Sequence, residues 1–296
     1  MNKNKKLLKS NWLTLLCFIL PCLIPLTAFW IFPMFYSFYI SFTDWDFMSE
    51  EYNMVALGNY QSILTDEQFY KVLWNTFYFV VGTTIPTLVM GLCFALLVVK
   101  KIHLGGIYRT LLFSPWITPM VAVSIVWSWI FEPKVGVLNQ VLGMFHLGQP
   151  GWLQSSQWAM VAVIIVTVWK GIGWAMIFYL DALKKVPKEL YQAASIDGTP
   201  PFRQLMKITL PMISPTTFFL VIILAIDALQ AYDQFQILTQ GGPAGSTRTI
   251  LYMYYQMAFE EYNMGRATAL ATILIIITAI LSSIQFYVSK KWVHYQ

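Results

Sequence analysis

The chain has 296 residues, 57% of them hydrophobic and only 11% charged, against about 25% charged in soluble proteins. That composition excludes a soluble globular protein and points to an all-α polytopic membrane protein, because several apolar runs approach or exceed the roughly 20 residues that cross a bilayer. The net charge of +5 and the pI near 9.0 do not mark a nucleic-acid binder, since no basic stripe interleaved with aromatics stands outside the apolar runs.

In chain order, the first run, about 12–40, is long and interrupted by Pro21, Pro25 and Pro33. It is too long for a cleavable signal peptide and is expected to stay in the mature chain. A polar segment, about 41–71, follows with Asp44, Asp46, Glu50, Glu51, Asp66 and Glu67, the largest acidic surface on the protein. Further spans are expected at about 72–99, 111–131, 158–180, 212–232 and 267–288, all within one domain, 1–296. The segment 132–157 holds an amphipathic stretch through Val135, Val137, Leu138, Val141, Leu142 and Phe145, fit to lie at a membrane interface. Cys17, Cys22 and Cys93 all fall in spans, so no disulfide framework is implied.

Basic residues order the topology. Lys3, Lys5, Lys6 and Lys9, then Lys100, Lys101 and Arg109, then Lys184, Lys185, Lys188, Arg203 and Lys207, then Lys290 and Lys291 fall on one side. Lys71, Lys134, Arg248 and Arg266 fall on the other, and Lys170 is inside the bilayer. The positive-inside rule then puts both termini in the cytoplasm.

The cytoplasmic loop 182–211 carries the most informative segment, ELYQAASIDGTPPFRQLMKITLP, at 189–211. Pro187 stands where a first helix can begin, and Leu190, Ala193 and Ala194 share one face of it. Asp197-Gly198 supplies a turn with positive φ. Thr199-Pro200 is expected as N-cap and first residue of a second short helix that Pro211 ends. The result is a helix-turn-helix whose first member exposes small side chains to another protein's groove.

Two charges lie deep in spans. Lys170 in the fourth and Asp227 in the fifth each lie about 20 Å in from the loop that joins them, at 1.5 Å per residue. They must face the bundle interior, as either an interhelical ion pair or a polar site. Trp174 follows Lys170 by one turn, and Ala228 and Ala231 leave room beside Asp227. No G-x-x-x-x-G-K-[ST] run is present, so energy must come from another subunit. His103, His146 and His294 have no metal-ligand spacing, and neither G-x-S-x-G nor H-E-x-x-H occurs, so neither a metal site nor an enzymatic activity is expected.

The run Gln192-Ala193-Ala194, three residues, Gly198, nine residues, then Ile208, Leu210 and Pro211 resembles the EAA loop of permease subunits in binding-protein-dependent ABC importers. Gln192 stands where that motif has its glutamate. Gly58-Asn59-Tyr60, Asn75-Thr76, 109–115, 136–139, Trp169, Tyr232-Asp233-Gln234, Leu238-Thr239, Gly241-Gly242-Pro243 and Val293-His294-Tyr295-Gln296 extend the resemblance, over nearly the whole chain, to carbohydrate importers of the maltose and lactose type.

The resemblance implies the six-helix type I ABC importer permease fold in the bacterial inner membrane. It implies a second permease subunit, a different chain of the same type, together with two cytoplasmic ABC ATPase subunits and an external solute-binding protein. ATP is then bound by the ATPases, and this chain needs no cofactor. It implies ATPase docking through Leu190, Gln192, Ala193, Ala194, Asp197 and Gly198, and a sugar, favouring an oligosaccharide, held by Lys170, Gly171, Trp174, Asp227, Ala228 and Ala231. Glycerol-phosphate or another polyol is the alternative substrate. An ion-coupled secondary transporter relaying protons through Lys170 and Asp227 is the alternative from another class, and it leaves the EAA loop without a purpose.

Overall fold

The computed structural model describes residues 3–99 and 105–292; Lys100, Lys101, His103 and Val293-His294-Tyr295-Gln296 lie outside the described residues. Regular structure among the described residues is helical, apart from an isolated bridge between Thr43 and Met54. The helices group into two compact units, Met1–Thr65 with Tyr254–Ile273 and Asp66–Met253 with Leu274–Gln296.

The first unit begins with α1 (Lys3–Leu26), a π turn (Thr27–Ile31) and α2 (Phe32–Ile40). From Thr14 to Ile40 this rod is apolar on every face and largely exposed, the pattern of a segment solvated by something other than water. The π turn has a local cause. Pro33 offers no N–H and its ring crowds the carbonyl four residues back, so the Phe32 N–H reaches five residues, to the Thr27 carbonyl. In the polar segment α3 (Gly58–Leu64) presents Asn59, whose amide donates to the Ser41 and Thr43 carbonyls at 3.0 and 2.7 Å.

The second unit is built on α4 (Glu67–Val98), capped at its start by Asp66 accepting from the Gln68 N–H. Next come α5 (Gly105–Ile117) and α6 (Met120–Ile130), then α7 (Val137–Met144), α8 (Ala159–Lys185), α9 (Lys188–Ile196) and α10 (Pro201–Gln204). A π turn (Leu205–Thr209) leads to α11 (Leu210–Met212) and α12 (Ser214–Leu229), followed by α13 (Asp233–Leu238) and α14 (Ile250–Tyr255). The last helix, α15 (Met264–Trp292), starts in the first unit and ends in the second.

Four helices are long and apolar enough to cross a membrane, and two bent pairs make six if each pair counts as one span. The expected third span is not one rod: α5 and α6 meet at 99° around Thr118 and Pro119. The fifth likewise has a 67° bend at Ile213, and its helix ends at Leu229, so Ala231 lies beyond it. Pro211 does not stop the helix before it, as expected from sequence. It widens one turn, with the Leu210 N–H reaching the Leu205 carbonyl, and the chain stays helical to Met212.

The most extensive packing is α4 along α8, followed by α5 on α8. Apolar side chains gain nothing by leaving lipid for one another, so membrane helices associate through close van der Waals contact between small residues. Gly91 of α4 abuts Ala175 of α8, and Gly171 abuts Thr87. At Gly173 the backbone of α8 comes so near the Leu112 carbonyl of α5 that a Cβ would overlap it. These contacts fix α4, α5 and α8 around one space.

Candidate functional site

That space is a cavity of about 360 Å³, within the range of small-molecule sites. Its wall combines Thr83, Thr84 and Thr87 of α4, Thr167 and Gly171 of α8, and Leu224, Asp227 and Ala228 of α12. Gln230, Ala231, Tyr232, Asp233 and Gln234 close one end, and Trp116 from the end of α5 supplies an aromatic wall. The threonines share one face of α4 through their i, i+1, i+4 spacing. The Thr83 hydroxyl donates to the Phe79 carbonyl at 2.8 Å, and Thr167 donates to Val163 at 2.9 Å. Thr84 Oγ1 is buried without a hydrogen-bond partner.

Of the residues expected to hold sugar, Gly171, Asp227, Ala228 and Ala231 line this cavity; Lys170 and Trp174 do not. Lys170 and Asp227 form no ion pair. The Lys170 ammonium donates to the Trp116 carbonyl at 2.7 Å and to the Pro115 carbonyl at 3.3 Å, and lies 5.2 Å from the Trp116 ring centre. Asp227 faces the cavity without a hydrogen bond or ion pair, and Asp233 joins it there. Trp174 is packed behind the wall, stacked on Trp116 with ring centres 5.2 Å apart and touching Phe178 at 4.7 Å. Sequence reasoning missed Trp116, because nothing local separates it from the other tryptophans. The intramembrane threonines of α4 and the 232–234 motif were the available signals.

The EAA segment is a second candidate surface. In α9 the side chains of Leu190, Gln192 and Ala193 are exposed and Ala194 is half-buried. Gly198 has φ +68°. Its N–H donates to the Ser195 carbonyl and the Thr199 N–H to the Ala194 carbonyl, at 3.1 and 2.9 Å, the paired bonds of a glycine-terminated helix end. Asp197 sits at the cap, exposed. The second helix begins one residue later than expected, with Pro200 as N-cap and Pro201 as first residue. Thr199 instead gives its carbonyl to the Gln204 amide at 2.9 Å, and the Tyr191 hydroxyl meets Thr209 Oγ1 at 2.9 Å. The two helices thus hold each other while Leu190, Ile196, Phe202 and Met206 remain exposed.

Opposite elements are stitched by amides. Asn139 donates to the Pro133 and Pro150 carbonyls, each at 3.0 Å, and accepts from the Trp152 indole at 2.7 Å. Val137, Val141 and Met144 of α7, with Phe145 at its C-cap, form an exposed apolar face. Asn75 donates to the Gly245 and Arg248 carbonyls, and Thr76 accepts from the Ile250 N–H, which ties the Gly241-Gly242-Pro243 loop to α4. Among the described residues no group of three or more His, Cys, Asp or Glu is placed to hold a metal ion.

Residues 69–294 match the family described as the inner membrane component of binding-protein-dependent transport systems. The chain belongs to that family. It is therefore a multi-pass membrane permease component of an ABC importer, and such components are not enzymes. The permease is 31% identical to the lactose transport system permease protein LacF of Rhizobium radiobacter, over 95% of this chain and 94% of that one. It is 29% identical to the sn-glycerol-3-phosphate transport system permease protein UgpA of Escherichia coli, over the full length of both. In fold it matches a bacterial alginate ABC transporter, solved in complex with an alginate pentasaccharide-bound periplasmic protein. The TM-score there is 0.82 and the identity 22%, covering 97% of this chain and 96% of that one.

Proposed function

We propose that this permease imports a neutral sugar, favouring an oligosaccharide, across the bacterial inner membrane, driven by ATP hydrolysis in two cytoplasmic subunits that grip α9. A second permease, a different chain of the same type, completes the path, and an external solute-binding protein delivers the sugar. When the ATPases close on ATP they pull α9, and the spans tilt from inward- to outward-facing. Both termini and the EAA loop are cytoplasmic in this reading.

The observation that carries the substrate class is the cavity wall. Hydroxyls and amides from Thr83, Thr84, Thr87, Gln230 and Gln234 suit sugar hydroxyls, and Trp116 offers an indole to a ring. Full-length similarity to UgpA favours glycerol-phosphate as the second reading. The cavity's charges weigh against it: its acidic lining residues are Asp227 and Asp233, and Lys170, itself not a lining residue, spends its ammonium on the Pro115 and Trp116 carbonyls. An anionic phosphate there meets two carboxylates with no cation. Uptake by the reconstituted transporter, with neutral disaccharides and sn-glycerol 3-phosphate as competitors, tests the choice. Competition by the neutral sugars supports this reading, and competition by the phosphate alone replaces it.

A further inference from the structure

We infer that Lys170 is a positioning residue that clasps the break between α5 and α6 and thereby holds Trp116 at the cavity wall. The last turn of α5 leaves carbonyls without helical partners, and at this break three of them have side-chain donors. The Ser114 carbonyl accepts from the Thr118 hydroxyl at 3.3 Å. The Pro115 carbonyl is deprived of its regular partner by the sequence itself, because residue 119, four further on, is proline and has no N–H. The Trp116 carbonyl belongs to the same exhausted turn. Lys170 Nζ donates to both, at 3.3 and 2.7 Å.

A cation suits that place, since the C-terminal end of a helix carries partial negative charge that a bilayer interior screens poorly. An ammonium is also a better fit than a neutral amide, having three donors for two carbonyls and the Trp116 ring face, 5.2 Å away. The close approach of α8 to α5 at Gly173, three residues on, sets the height at which Lys170 meets the break. The clasp acts on the site through Trp116, the one residue of α5 in the cavity wall, whose carbonyl takes the shorter bond and whose ring also stacks on Trp174. Both charges that sequence reading set together therefore have separate roles: Lys170 shapes the wall and Asp227 faces the cavity.

The assignment of Trp116 to a sugar rests on the proposed function, but the clasp does not need sugar to be tested. Spin labels on Leu111→Cys and Val126→Cys, with Cys17, Cys22 and Cys93 replaced by Ser, report the α5–α6 distance in the full chain assembled with its partners. Lys170→Met is expected to shift that distance by roughly 5 Å, about one helical turn, and Lys170→Arg, which keeps the charge and the donors, to restore it. Asp227→Asn is expected to leave the distance unchanged. If Lys170→Met prevents assembly, adding Pro119→Ala, which gives the Pro115 carbonyl an N–H, is expected to recover it. A wild-type distance in Lys170→Met, an equal shift in Asp227→Asn, or failure of the added Pro119→Ala to recover an unassembled Lys170→Met overturns the clasp. No competition by neutral sugars in the wild type, with the clasp behaving as expected, would instead count against the proposed substrate alone.

Discussion

At Trp116 a single ring joins three interactions, the Lys170 ammonium, the Trp174 stack and the cavity surface. Trp116→Ala removes the aromatic wall, and about 1 kcal/mol of ring contact corresponds to a several-fold rise in the apparent KM for sugar, with ATPase subunits still bound; uptake kinetics check this. Asp227→Asn removes a carboxylate that faces the cavity unpaired, so it is expected to improve competition by anionic sugars relative to neutral ones. Unaltered selectivity would remove Asp227 from recognition. Lys170 and Asp227 were legible in the sequence because charge is rare in a span. Their partners were not, since Lys170 bonds to carbonyls 54 and 55 residues away, and backbone acceptors leave no mark in a sequence.

Among the elements, α9 and its glycine-terminated end follow most directly from residue chemistry. A Cβ at Gly198 meets nothing within 4 Å, so any substitution there acts through φ rather than through crowding. Gly198→Val is expected to cost about 1–2 kcal/mol locally, to misplace α9, and to abolish transport-linked ATP hydrolysis, whereas Gly198→Asn tolerates positive φ and keeps most of it. Equal coupling in the two variants would contradict the role of the turn. Asn139→Ala removes three hydrogen bonds that close the 132–157 segment, an expected loss of about 2 kcal/mol or more, readable as a lower unfolding midpoint in detergent. The bends were less legible than the helices. Pro119 and Pro211 look alike in sequence, yet Pro119 sits inside a 99° break, whereas Pro211 sits in a widened helical turn that continues to Met212 before a 67° bend at Ile213.

For the whole molecule, apolar run length carried the helical membrane fold, and the EAA spacing carried the family, which residues 69–294 match. The expected orientation is checked by single cysteines at Glu50 and Lys185 in a chain without its native three: an impermeant thiol reagent applied outside is expected to label the first and spare the second. We propose ATP-driven sugar import coupled through α9. Its most direct test is the initial rate of neutral oligosaccharide uptake by the complete transporter in proteoliposomes, measured with and without ATP in wild type and in Ala194→Glu. Coupling through α9 predicts uptake that requires both ATP and the external binding protein and that Ala194→Glu abolishes while the chain still inserts. Uptake that persists without ATP, or that Ala194→Glu leaves intact, would contradict it.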